Sequence, residues 1–400
     1  MSFSQNSPSV SPAADGYVTL LNEPFYKIQH FDRLEPFFIS LVSSFDHWLF
    51  ISSSGGLSAG RVNADRALFP YVTEDKIAEN NENTGAKTLL RLTRGGQTWL
   101  WEPFSIRQQG QYNLERNLYK NIPGTALVFE EINHSLGLAF RYSWRTSERF
   151  GFVKTAWLEN QAAAVEVDLL DGLQNILPAN VSAATQSNLS CLLDAYKRSE
   201  LDAETGLGIF ALNSTLTDLA EPSESLLATG VFQVGLKAAA YLLCSRQLRG
   251  FRAGEEILPE QEVRGRRGAF FVHSRFSLAA QAGQTWHVVA DVNQDAAALT
   301  ATRRALRQDS DLAAAIEADI ALNTARLRQI VAQADGLQVS ANELCVSHHF
   351  SNVMFNLMRG GIFANGYAIE KTDLLEFIAV HQPALLSAAA DFFDSLPSHV

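Results

Sequence analysis

The sequence is poor in the residues that staple small secreted domains together. It has 3 cysteines in 400 residues. Cys191, Cys244 and Cys345 are too widely spaced for a disulfide framework or a Cys-x-x-Cys metal pair. No run approaches the roughly 20 apolar residues needed to cross a bilayer. The start, MSFSQNSPSVSPAADG, has no apolar segment of the secretory kind. A cytoplasmic chain with no membrane partner is expected. Basic excess is lacking too, because the formal net charge is -11. An acidic surface repels a phosphate backbone, so no nucleic-acid partner is expected.

What is present can build a large core, since 46% of the residues are hydrophobic and 19% charged. Residues 1–16 read as a flexible tail. Short aromatic and β-branched runs follow at His47–Ser53, Lys87–Arg94, Thr98–Phe104, Thr125–Ile132, Leu136–Trp144, Arg149–Leu158 and Ala164–Leu170. Gly55–Gly56, Gly95–Gly96, Pro123–Gly124 and Asn133 punctuate them. Such spacing predicts a sandwich or barrel. Alternation, as in Val165-Glu166-Val167-Asp168-Leu169, predicts antiparallel sheets with one wetter face. A helix is expected over Asn180–Glu200. Strands resume at Gly206–Leu212, Thr229–Val234, Ala269–Ala279 and Thr285–Val292.

The texture changes at Asp295. Between it and Asp335 stand 13 alanines and no glycine or proline. Two helices are predicted there, broken near Asp309–Ser310. The second has a cap signal at Ser310-Asp311 and an apolar stripe of Leu312, Ile316, Ile320, Leu327 and Val331. Gly336 is the expected C′ residue. Ser340-Ala-Asn-Glu343 matches a capping box opening a third helix, which stops at Gly360-Gly361. Further helices are expected over Thr372–Val380 and after Pro383. The predicted fold is mainly β plus α: a large antiparallel super-sandwich over 17–293, a helical linker over 294–336, and the first helices of a helical domain over 337–400.

Five places could carry chemistry. Gly56-Leu-Ser58-Ala-Gly60 matches the G-x-S-x-G nucleophile elbow, but its flanks read as antiparallel strands rather than the parallel sheet that motif needs. A glycine-rich hairpin is the competing reading. The loop after it offers Arg61, Asn63 and Asp65, suited either to sugar hydroxyls or to stapling the loop itself. His348 and His349 are adjacent, so on a helix they point about 100° apart and share no metal readily. With Asn352 and Arg359 they mark a candidate cleft in the helical domain. The arginines between Arg246 and Arg267 are interleaved with Glu255, Glu256, Glu260 and Glu262, which favours a salt-bridged loop over an anion site. Asp168-Leu-Leu-Asp171-Gly172 lacks calcium-loop spacing and reads as a strand end with a tight turn. No metal or cofactor is expected. Trp99 and Trp101 share one strand face and form an aromatic platform for a sugar if they are exposed.

The order of parts resembles the cellobiose and chitobiose phosphorylase family and its β-glucan phosphorylase-like relatives. GRVNADRALFPYVTEDKI (Gly60–Ile77) looks like the start of their sandwich. VDLLDGLQNILPANV (Val167–Val181) looks like the strand leading to its inserted helix. SHHFSNVMFNLMRGGIFANGYAIEKTDLLEFI (Ser347–Ile378) is similar to the entry into their α/α-barrel. The resemblance implies a glycoside phosphorylase or glycosidase acting on an oligosaccharide or β-glucan, with inorganic phosphate as co-substrate if a phosphorylase. It implies a homodimer through the sandwich. It also implies an acid in the helical barrel, expected beyond this chain, so no catalytic residue is carried over. The alternatives are a non-catalytic carbohydrate-binding or assembly sandwich, and a serine hydrolase using Ser58.

Overall fold

A computed structural model describes residues 11–12, 17–214, 225–308, 311–361 and 368–400. The predicted tail, the helix break near Asp309–Ser310 and the Ser310 cap fall on or partly on residues outside these. Among the described residues three antiparallel sheets form the body of the first of two compact units. The largest has twelve strands, running in space from Ser11–Pro12 through Leu114–Asn121, Ala126–Asn133, Leu138–Ser147, Gly151–Asn160 and Gly283–Gln294 to Glu262–Arg264. A five-stranded sheet is centred on Val165–Ile176, with Gly85–Arg94 and the edge strand Gln97–Trp101 on one side and Gly268–Leu278 on the other. A four-stranded sheet comprises Phe38–Leu41, His47–Ser52, Leu57–Arg61 and Ala67–Phe69.

One core lies between them. The large sheet contributes Phe140, Trp144 and Trp286, the five-stranded sheet Leu169 and Phe270, and the four-stranded sheet Phe69, all fully buried. Each such side chain contributes about 1.5–3 kcal/mol of burial free energy. Alternation sets these faces. Along Leu138–Ser147, Leu138, Phe140, Tyr142 and Trp144 point inward, while Arg141, Ser143 and Arg145 point out. The outer face was expected to be the wetter one, yet all ten residues of this strand are buried. Its charges survive burial because they are paired: Arg141 with Glu130 at 2.6 Å and Glu159 at 2.8 Å, and Arg145 with Glu317.

Several expected boundaries move. The strand predicted over Ala164–Leu170 extends over Val165–Ile176, so Asp171-Gly172 is mid-strand and not a turn. Glycine is needed there because a Cβ on Gly172 would sit 1.8 Å from the Phe270 carbonyl oxygen of the next strand. The single helix expected over Asn180–Glu200 is two short helices, Ala183–Asn188 and Ser190–Tyr196, followed by the strand Lys197–Asp202. That strand is claimed by pairing with Leu207–Leu212.

Helices Ala296–Gln308 and Leu312–Gln333 follow the last long strand. The chain divides into two compact units, Met1–Thr324 and Ala325–Val400. In the first unit, Leu312, Ile316 and Ile320 pack on Val153, Phe232 and Val289 of the large sheet's outer face. The stripe residues Leu327 and Val331 are buried as well. In the second unit, Asp335 rather than Gly336 takes the left-handed turn, at φ 57°. Gly336 is small for a different reason, since a Cβ there would meet Val331 Cγ1 at 2.2 Å. The next helix, Glu343–Gly360, is capped by Asn342, whose Oδ1 accepts from Cys345 N at 3.1 Å. The box expected at Ser340 is therefore displaced by two residues. Ser340 Oγ instead accepts from Asn342 N. Helices Lys371–His381, Pro383–Ala388 and Ala390–Ser395 complete this unit. Among the described residues no helix is long and apolar enough to cross a membrane.

Candidate functional site

The hairpin after Leu57–Arg61 spends most of its polar side chains on neighbouring parts of the fold. Arg61 Nε donates to Asp46 at 2.8 Å, and its Nη1 reaches both oxygens of Asp291 at 3.0 and 3.1 Å. Burial lifts the Asp291 carboxyl to about 6 despite that guanidinium. Asn63 Oδ1 accepts from Asp65 N, closing a local turn, and its carbonyl accepts from Trp48 Nε1. Asp65 Oδ1 accepts from Ala183 N, tying the hairpin to the helix Ala183–Asn188. Arg61 is committed to Asp46 and Asp291, so the loop is held by partners outside it and not by an Arg–Asp pair of its own.

Ser58 is fully buried and donates to the Pro70 carbonyl at 2.7 Å. Its strand pairs antiparallel on both sides. A nucleophile elbow needs an exposed serine beside a base, so the hydrolase reading falls.

Trp99 and Trp101 do share a face, but it is the inner one. Trp101 is completely buried and donates its indole N–H to Glu131 Oε1 at 2.7 Å, while Trp99 packs half-buried against the core. The sugar platform expected from them is therefore corrected to core packing. The arginines follow the salt-bridged reading: Arg252 pairs with Glu102, Arg264 with Glu262 and Arg267 with Asp194.

In the second unit His349 lies against the preceding loop, its Nε2 2.7 Å from the Asp335 carbonyl. His348, Asn352 and Arg359 are exposed, and Arg359 lies 5.3 Å over the Phe355 ring. Their spacing sets these three along one helix face, and His349 stands apart from them. Among the described residues no group of three or more His, Cys, Asp or Glu side chains is placed to hold a metal ion.

A cavity that the sequence did not reveal opens in the first unit. It holds about 150 Å³ and is lined by Phe31, Ser54, Asn81, Phe104, Ile106 and Arg116, among others. A deeper annex of about 20 Å³ shares Ser54, Asn81 and Phe104, and reaches Lys87, Thr88 and Tyr142. Glu131 builds its wall. Besides Trp101 it accepts from Phe104 N at 2.8 Å and Arg116 Nε at 2.7 Å. Phe104 adopts φ 62°, a conformation that non-glycine residues reach only under constraint. The bond to Glu131 and ring contacts to Phe129 and Tyr142 hold it there. Glu82 pins the next residues, accepting from Ser105 Oγ and Ile106 N at 2.9 Å each. The only hint in the sequence is the acidic pair Glu130-Glu131 inside an otherwise apolar strand.

The helix Leu312–Gln333 is bound to the sandwich with equal care. Asn323, 2% exposed, accepts from Ser44 N at 2.8 Å and Ser44 Oγ at 2.6 Å, and donates to Thr146 O and Oγ1 at 3.0 and 2.8 Å. Arg145 forks onto Glu317, and Ser147 Oγ donates to Asp319. His287, beside Thr155 and Glu317, is lowered to about 4 by burial. His47, beside Ser43, is likewise lowered to about 4, by burial and then by Arg61.

No protein-family model and no curated protein matches the chain. Solved structures do. A bacterial glucoamylase complexed with acarbose aligns at TM-score 0.44 and 7% identity, over 79% of this chain and 41% of its own. A protein described as a kojibiose phosphorylase, from the human microbiome, aligns at TM-score 0.43 and 11% identity, over 88% of this chain and 42% of its own. An aldose 1-epimerase-like protein of Klebsiella pneumoniae aligns at TM-score 0.28 and 9% identity. The chain spans about two fifths of the length of the first two.

Proposed function

We propose that this chain is the sandwich-and-linker portion of a carbohydrate-active enzyme of the glycoside phosphorylase or hydrolase kind. Its substrate class is β-linked glucosides, with inorganic phosphate as co-substrate in a phosphorolytic enzyme. In this reading the chain binds sugar, and the carboxylic acid that protonates the glycosidic oxygen is supplied from outside these residues.

The observation that carries the proposal is the attachment of the linker helix. Glu317 and Asp319 bond Arg145 and Ser147 on the outer face of the large sheet, Asn323 bonds Thr146 and Ser44, and Leu312, Ile316 and Ile320 fill the apolar part of that face. A connector that served only as a spacer would not need an asparagine buried with five hydrogen bonds, to Ser43, Ser44 and Thr146. The stretch 312–324 of the linker helix is thereby fixed to the sandwich. The stretches resembling glycoside phosphorylases, Gly60–Ile77, Val167–Val181 and Ser347–Ile378, lie on both sides of this attachment in the sequence.

The test is incubation of the chain with β-linked glucose oligomers, with and without phosphate. Oligomer binding without turnover is the expected result. Release of sugar 1-phosphate or of reducing sugar by the chain alone would contradict the external acid.

A further inference from the structure

We infer that the cavity behind Phe104 is a binding site for a small neutral ring polyol, a pyranose or a cyclitol. Two polar side chains that line the chambers point to a ligand. Tyr142 is 4% exposed, and its hydroxyl has no hydrogen-bond partner among the described residues while it lines the annex. The hydroxyl oxygen opens on the annex, where a ligand hydroxyl can donate to it or accept from it. The Asn81 side-chain amide, which lines both chambers, likewise has no partner among the described residues. One group can donate and accept through its hydroxyl, and the other offers a carbonyl and an amine. Together they suit hydroxyl groups better than a single charge.

The annex is kept open by Gly55. Its φ is 94°, and a Cβ there would lie 3.2 Å from Tyr142 Oη. The turn thus combines a backbone conformation that favours glycine with the space the hydroxyl faces.

Charge excludes the other ligand classes. Arg116 is neutralised by Glu131 at 2.7 Å, and Lys87 lies between Glu82 and Glu102. The remaining charged lining residue, Asp32, is an acid. An anion entering the cavity therefore meets no unmatched cation, which disfavours phosphate and carboxylate ligands. Phe31 and Phe104 supply apolar ring surface, and Leu34, Pro36 and Ile106 extend it at the mouth. A ring with one apolar face and hydroxyls at its edge fits both surfaces. The cavity of about 150 Å³ is of the size of one such ring.

The sugar arm of this inference rests on the proposed function; the cyclitol arm does not. The experiment titrates the full chain with methyl β-D-glucopyranoside and, separately, with myo-inositol, read by saturation-transfer NMR and calorimetry. Saturable binding of at least one probe is expected. Tyr142→Phe, which keeps the ring stacked on Phe129, and Asn81→Ala should each weaken it by about three- to tenfold, the worth of one hydrogen bond. Unchanged thermal unfolding of Tyr142→Phe shows that the loss is local. Saturation by neither probe, or affinities unaltered in both variants, would overturn the site. Glucose-oligomer binding that survives the double variant removes this site and leaves the proposed function standing. Inositol bound here, with no glucoside bound anywhere, keeps the site and removes the sugar assignment.

Discussion

Lys154 of the large sheet meets Asp171 of the five-stranded sheet at 2.6 Å across the sandwich interior, with neither side chain reached by solvent. Thr88 Oγ1 at 2.6 Å and Trp286 Nε1 at 2.7 Å also donate to Asp171, and burial pushes the Lys154 ammonium down. An ion pair in this position costs desolvation on both partners, and its geometry recovers that only while both are present. Replacing Asp171 with Leu alone, or Lys154 with Met alone, should lower stability by about 3–5 kcal/mol. The double variant should regain much of that. Urea denaturation of the four proteins measures the coupling. Strictly additive losses would show that the pair acts as two independent groups.

Asn323 fixes the linker helix, so Asn323→Ala should release it. Its partners Ser44 and Thr146 lose bonds they can replace only with water, a loss of about 2–4 kcal/mol. Hydrogen exchange should quicken across 312–324 while Leu138–Ser147 stays protected. Equal exchange in both proteins would show that the apolar stripe alone holds the helix.

Acid should loosen the same attachment. His47 and His287 have folded pKa values of about 4, below their ordinary 6.5. Each therefore contributes stability that is fully present above about pH 6.5 and lost as pH falls through about 4. Asp291, raised to about 6 from 3.8, acts oppositely: its contribution is present below 3.8 and lost as pH rises through about 6. Two histidines outweigh one carboxyl. Stability should fall by about 3 kcal/mol between pH 7 and 4 from these groups. Charged and titratable neighbours are Arg61, Asp46 and Asp319 for His47, and Glu317 and Arg145 for His287. His287→Gln should flatten the denaturation midpoint against pH, and an unchanged slope would reject the assignment.

Glu131 holds the cavity wall through three donors. Glu131→Gln turns an amine toward at least one of them and should cost about 3 kcal/mol. The probe affinity measured at the cavity should fall in Glu131→Leu, which removes the acceptor of Phe104 N altogether. Stability lost with affinity intact would mean that Phe104 is held by its rings alone.

The strands were legible because alternation and punctuation report local geometry, and the linker stripe because helical spacing does. What failed was what depends on partners distant in the sequence. Trp99 and Trp101 have the right parity, but parity does not say which face is inside. The helix propensity of the Asn180–Glu200 segment yields over Lys197–Asp202 to a sheet partner beyond it. Gly172 resembled a turn residue because close approach of a neighbouring backbone and a tight bend demand the same missing Cβ. The cavity is lined by residues spread from Phe31 to Tyr142, each ordinary in its own window, so no motif announces it.

Calorimetric titration of the chain with a series of β-linked glucose oligomers, followed by analysis of the same samples for sugar 1-phosphate and reducing ends, tests the central claim most directly. Saturable binding with the oligomers recovered intact is the predicted result. Absence of binding across the series would contradict the carbohydrate assignment, and product formed by the chain alone would contradict its role as a scaffold.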